Sequence, residues 1–136
     1  MTFRDVLRAT HFPQTLAMVS LMTVSSWLAG AELIHVALVM VATASGQVAV
    51  GWTNEIVDAR TDSDSGRPDK AVALGRLNPR LLWILSLIAL TLTLPLSLLA
   101  AGWIGGTSHV VAVGSALAYN AKLSRTVWSW APYALS

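Results

Sequence analysis

Cysteine is absent from the sequence, which excludes a disulfide framework, a thiolate metal site and any redox clue to compartment. Charge is scarce: only 12% of residues are Asp, Glu, Lys or Arg, against about a quarter in an ordinary globular chain. Too few polar groups remain to clothe a soluble domain. No Gly-rich phosphate loop, Ser–His–Asp set or nucleophile elbow is readable, so the common nucleotide-binding and hydrolase signatures are missing. An EF-hand fails as well. Counted from Asp62, Asp64 stands third, Gly66 fifth and Ala73 twelfth, whereas the loop needs glycine sixth and glutamate twelfth. A net charge of +2 arises from only nine basic residues, and their dispersal gives no support to a nucleic-acid partner.

What is present in abundance is apolar. Hydrophobic residues make up 54% of the 136 and mean hydropathy is +0.60. Four apolar spans lie near residues 14–30, 33–53, 80–101 and 104–120, each close to the ~20 residues that cross a bilayer core. The expected fold is all-α: a multi-pass transmembrane helical bundle of four spans and the start of a fifth. Residues 3–11 place Phe3, Val6 and Leu7 opposite Arg4, Arg8 and His11, the pattern of a short helix lying on the membrane surface. Asn78-Pro79 is a helix start, and Pro95 predicts a kink within the third span.

Orientation follows from the bases. With four crossings Arg4, Arg8, Arg60, Arg67, Lys70, Arg76, Arg80, Lys122 and Arg125 all fall on one side, while the other carries Glu32 alone. The N-terminus and the loop 54–79 are therefore expected in the cytoplasm, with the protein in the plasma (inner) membrane. All six tryptophans sit near span ends, where an amphipathic ring prefers to lie. The first span also has the pattern of a signal peptide with Ala29-Gly30-Ala31 as cleavage site, although Trp27 suits an interface and Glu32 leads straight into the next span. Small-residue pairs (Ala42 and Gly46, Gly102 and Gly106, Gly114 and Ala118) permit close helix approach.

The charged stretch after the second span carries the candidate chemistry. Asn54, Asp58 and Asp62 are spaced by four, so on a helix they share a slowly drifting face. Such oxygen donors suit Mg2+, which keeps several waters and shares its sites with phosphates. Gly51 and Gln47 stand on the same line one and two turns earlier, and the gap at Gly51 leaves room for a ligand. Gln47 has an equally simple account as an interhelical hydrogen-bonding residue. Arg67 and Lys70 supply positive charge that a diphosphate wants. Glu55 and Arg60 fall on other faces, and His35 and His109 near the outer ends of spans. Residues 54–80 hold five acids and five bases, a balance that also fits a solvated, self-neutralising loop. That account leaves the four-residue order unexplained.

Asn54-x3-Asp58-x3-Asp62, followed by Gly66-Arg67-Pro68-Asp69-Lys70 and Gly75-Arg76-Leu77, resembles the first aspartate-rich motif of the UbiA-type intramembrane prenyltransferases. Tyr119-Asn120-Ala121-Lys122-Leu123-Ser124-Arg125-Thr126 resembles that family's lead into its fifth helix. One departure is Ala71, where the family usually has proline. The resemblance implies a helical bundle around a cavity for a polyprenyl diphosphate and an often aromatic acceptor. It implies Mg2+ held by Asn54, Asp58 and Asp62, catalysis centred on Asp58 and Asp62, and diphosphate steadied by Arg67, Lys70, Asn54 and Gln47. Members of the family have about nine transmembrane helices and a second aspartate-rich motif between helices six and seven, so by this resemblance the chain reads as a partial, N-terminal half-site. It is expected to be inactive unless the C-terminal half or a second copy completes it. The alternative is a small multi-pass scaffold or cation-binding protein without catalysis.

Overall fold

The structure is a computed structural model and describes residues 2–64, 70–121, 126, 127 and 130. Those residues form four helices, α1 (Phe3–Ala9), α2 (Phe12–Leu28), α3 (Leu33–Asp64) and α4 (Pro79–Ala121), with no strand among the described residues. Two of them, α3 and α4, contain segments long and apolar enough to cross a membrane. The apolar segment of α3, Leu33–Ala59, has 27 residues. At 1.5 Å per residue it is roughly 40 Å long, more than the ~30 Å hydrocarbon core.

Local chemistry sets each boundary. Thr2 and Asp5 form a capping box at α1: the Asp5 amide donates to the Thr2 hydroxyl oxygen at 3.2 Å and the Thr2 amide to Asp5 Oδ2 at 3.2 Å. The Thr2 hydroxyl, which donates to the same carboxylate at 2.7 Å, holds the Asp5 carboxyl below its ordinary value. The Thr2 amide and Arg76, whose Nε lies 3.6 Å from Asp5 Oδ1, act in the same direction, while burial opposes them. His11 turns the chain in a left-handed conformation (φ 54°, ψ 51°), and Pro13 opens α2. At the other end of α2 the Ala31 amide reaches back to the Ser26 carbonyl at 3.1 Å, with Gly30 at φ 81°. This is the glycine-dependent stop of a helix. Asn78 caps α4 as its sequence predicts: Oδ1 accepts from the Arg80 amide at 2.9 Å.

α4 is two arms. Ser97 Oγ and His109 Nδ1 are 2.7 Å apart across twelve residues, a separation of roughly 18 Å along a straight helix. The chain reverses at Gly102 (φ 65°, ψ −168°), a backbone conformation open in practice only to glycine. Pro95 lies inside the first arm, and the non-helical residue within α4 is Gly102, between the spans expected at 80–101 and 104–120.

Three packing sites define the bundle. Gly46 on α3 faces the second arm so closely that an added Cβ would sit 2.8 Å from Val113 Cγ2. A Cβ on Gly106 would meet the Ser97 carbonyl oxygen at 2.7 Å, drawing the two arms of α4 together. Around Gly114, in contrast, nothing lies within 4 Å, so that small residue serves no close approach. At the charged end Ala9, Ala71, Leu77 and Leu82 form a buried cluster flanked by Val6, Trp52, Ile56 and Val72. Trp52 Nε1 donates to the Val6 carbonyl at 3.3 Å, tying α1 onto α3.

Candidate functional site

The helix α3 does not end where its charges begin. It continues to Asp64, so the first part of the stretch expected as a loop (54–79) is helical and carries Asn54, Asp58 and Asp62 on regular geometry. Eight residues at ~100° each leave Asn54 and Asp62 about 80° apart around the axis. That drift is enough to give them different neighbours.

Asn54 faces the α1–α2 turn, with Nδ2 3.3 Å from His11 Nε2. It lines a pocket of about 190 Å3 together with His11, Gln14, Gln47, Gly51 and Asn120. Asn120 reaches in from the end of α4, donating to the Val50 carbonyl at 3.0 Å. The side-chain gap at Gly51 is used by protein, not kept for a ligand: a Cβ there would lie 2.7 Å from both the carbonyl carbon and oxygen of Thr10. Gly51 therefore seats the α1–α2 turn against α3, and the pocket opens beside that contact.

Asp62 points about 80° further round the helix, under the turn that follows residue 70. Lys70 Nζ lies 3.6 Å from Asp62 Oδ2 and 3.3 Å from Glu55 Oε2. The side chains of Lys70, Glu55 and Asp62 are 8%, 4% and 7% exposed. Glu55 Oε1 accepts from the Val72 amide at 3.1 Å. Glu55 and Asp62 are seven apart, two helical turns, and so share a face. The sequence set Glu55 aside from the site; it is instead the residue to which the 70–77 turn is tied. Asp58 is half-buried between these two environments. Arg67 lies outside the described residues.

Asn54, Asp58 and Asp62 present hard oxygen donors, and their chemistry fits Mg2+. In this arrangement Asp62 is neutralised by Lys70, and no three His, Asp or Glu side chains converge on a metal position among the described residues. A cation binding all three donors has to compete with the Lys70 ammonium for Asp62.

A second, larger cavity of about 490 Å3 lies between α2, α3 and the second arm of α4. Its walls include Met18, Met22, Val113 and Ala116, with His109 and Thr43. Gln47 and Val50 belong to both cavities, so the smaller, amide-bearing pocket and the larger cavity share a wall on α3. Gln47 was legible in sequence as an amide in line with Asn54. His11, Gln14 and Asn120 were not, because a helical wheel of α3 says nothing about what other elements bring to it. His109 had one signal, an ionisable residue within an apolar stretch, which in a membrane segment is costly and usually inward-facing.

Comparison with protein-family models, curated proteins and solved structures finds no match for this chain.

Proposed function

We propose that this chain is a multi-pass membrane protein of the UbiA-type prenyltransferase kind and that it binds an isoprenoid diphosphate with Mg2+. The observation that carries this reading is the shared wall at Gln47 and Val50, which joins a small amide-lined pocket to a larger apolar cavity. A ligand with a polar head and a hydrocarbon tail matches that pair of volumes. The diphosphate would lie in the pocket near Asn54 and Gln47, and the tail would run between α2 and the second arm of α4. Arg67 would steady the diphosphate oxygens, and Lys70 would do so only by leaving Glu55 and Asp62.

Mg2+ held by Asn54, Asp58 and Asp62 would offset charge on the leaving diphosphate as the allylic carbon–oxygen bond breaks, to be replaced by a bond to an acceptor. Asp58 and Asp62 are the residues that this chemistry depends on most. In this reading α2, α3 and both arms of α4 cross the bilayer, and the N-terminus and the acidic end of α3 face the cytoplasm of an inner-membrane protein. The chain contributes one acidic motif, so turnover needs a second set of donors from a C-terminal half or another copy.

The scaffold reading is favoured by a different observation: Glu55, Lys70 and Asp62 already form a buried ion cluster, which needs no ligand. Binding separates the two. Farnesyl diphosphate titrated onto the chain in lipid nanodiscs is expected to bind at least tenfold more tightly with Mg2+ than without, a difference of about 1.4 kcal/mol. Asp58→Ala is expected to remove that Mg2+ dependence while the helical content stays unchanged. Equal affinity in the absence of Mg2+, or an unaltered Mg2+ effect in Asp58→Ala, supports the scaffold.

A further inference from the structure

His109 stands on the second arm of α4, half-buried on the wall of the apolar cavity. The hydrogen bonds around it define which ring nitrogen carries the proton. Ser97 Oγ lies 2.6 Å from the Thr93 carbonyl oxygen, a contact between two oxygens that requires the serine hydroxyl hydrogen to lie between them. A serine hydroxyl has one hydrogen to give. Its bond to His109 Nδ1, at 2.7 Å, must therefore run in the other direction, with Nδ1–H donating to Ser97 Oγ. A neutral imidazole carries one proton, so Nε2 is left with its lone pair free.

That lone pair lies in the cavity wall. A Cβ on Gly46 would be 3.5 Å from both Nε2 and Cε1 of His109, which puts this edge of the ring against α3 beside Thr43 and Gln47, two other wall residues. Among the described residues the only hydrogen bond of His109 is the one to Ser97. Nε2 is thus an acceptor on the wall of a half-open cavity whose rim residues Met18 and Met22 are each 40% exposed, where an entering ligand can supply the donor. The remaining lining is largely aliphatic and thioether, and the volume, about 490 Å3, falls in the ~300–1,000 Å3 range of small-molecule sites.

We propose that this cavity is a binding site for a lipid alcohol, an apolar chain or ring ending in one hydroxyl, whose O–H donates to His109 Nε2 while its body fills the space between Met18, Met22 and Val113. Ser97 is the positioning residue that sets the tautomer. The alcohol would fill the same space as the tail in the diphosphate reading, so the two ligands compete for the cavity; they differ in that a prenyl tail offers Nε2 no donor.

The test is 15N NMR of the imidazole nitrogens of the full chain in nanodiscs, with His109 assigned through His11→Gln and His35→Gln spectra. The resting protein is expected in the Nδ1–H tautomer. Geraniol is expected to move the Nε2 resonance, while geranyl methyl ether, equal in body but without a donor, leaves it in place. Geraniol should bind about threefold to tenfold more weakly to His109→Phe, the loss of one ordinary hydrogen bond, and the ether should bind both proteins alike. A resting Nε2–H tautomer, or the same response to alcohol and ether, overturns the proposal. The first two measurements use wild-type protein and decide the matter even if His109→Phe does not fold.

Discussion

Glu55→Ala should destabilise the fold by about 3–5 kcal/mol, the usual cost of removing one partner from a buried ion pair. The residue is 3% exposed and does two things at once. Oε2 lies 3.3 Å from the Lys70 ammonium and Oε1 accepts the Val72 amide. Alanine would leave Lys70 with Asp62 alone and an amide unsatisfied beside the buried Ala71 and Leu77. Glu55→Gln retains an oxygen for Val72 and loses only the charge, so its cost should be smaller. Lys70→Met replaces the long stem with one of similar length and puts two carboxylates side by side without a counter-ion, which should also destabilise. Thermal unfolding in detergent, followed by circular dichroism, reads all three. A Glu55→Ala midpoint unchanged from wild type would mean that the ion cluster does not hold the 70–77 turn onto α3.

Gly51→Ala carries the second large effect. Its methyl would approach the Thr10 carbonyl carbon and oxygen at 2.7 Å and Cα at 2.9 Å. Those are backbone atoms of a tight turn, and they cannot rotate away as a side-chain tip can. Overpacking of this kind costs about 1–3 kcal/mol. The strain should be relieved by lifting the α1–α2 turn, which opens the pocket between His11 and Asn54 and breaks the bond from Trp52 Nε1 to the Val6 carbonyl. Trp52 fluorescence, compared in single-tryptophan backgrounds, is the readout. Gly114→Ala serves as the control. With nothing within 4 Å of its Cβ it should fall within about 0.5 kcal/mol of wild type or gain slightly from helix propensity. Equal stability of the two variants would contradict the close approach at Gly51.

These two residues mark where the sequence was and was not legible. Helix content and the cap at Asn78 follow from local chemistry, because a cap is decided by a few neighbouring residues. The short first helix and the reversal before residue 104 were read on the same basis. The faces of α3 were also legible, since periodicity is a property of the helix alone. What covers each face is not. Periodicity put Asn54, Asp58 and Asp62 in one group, but the pocket takes the first and the Lys70 cluster takes the last. Gly51 read as empty space, and the Thr10 backbone, some forty residues away, fills it. His109 read as interfacial from its position near a span end. Folding α4 back at Gly102 turned it toward Ser97 and the cavity. Each of these differences comes from a contact with another segment, which the periodicity of a single helix does not encode.

The central claim is that one ligand occupies both cavities, its head at Asn54 and its tail beside Met18, Met22 and Val113. The most direct measurement is photolabelling with a prenyl diphosphate bearing a diazirine at the far end of its tail, in nanodiscs with and without Mg2+, followed by peptide mapping. The account predicts Mg2+-dependent adducts on the α2 segment containing Met18 and Met22 and on the second arm of α4 around Val113 and Ala116. Adducts confined to the outward-facing Ile84, Leu87 and Ile88, each more than half exposed, and indifferent to Mg2+, would contradict it.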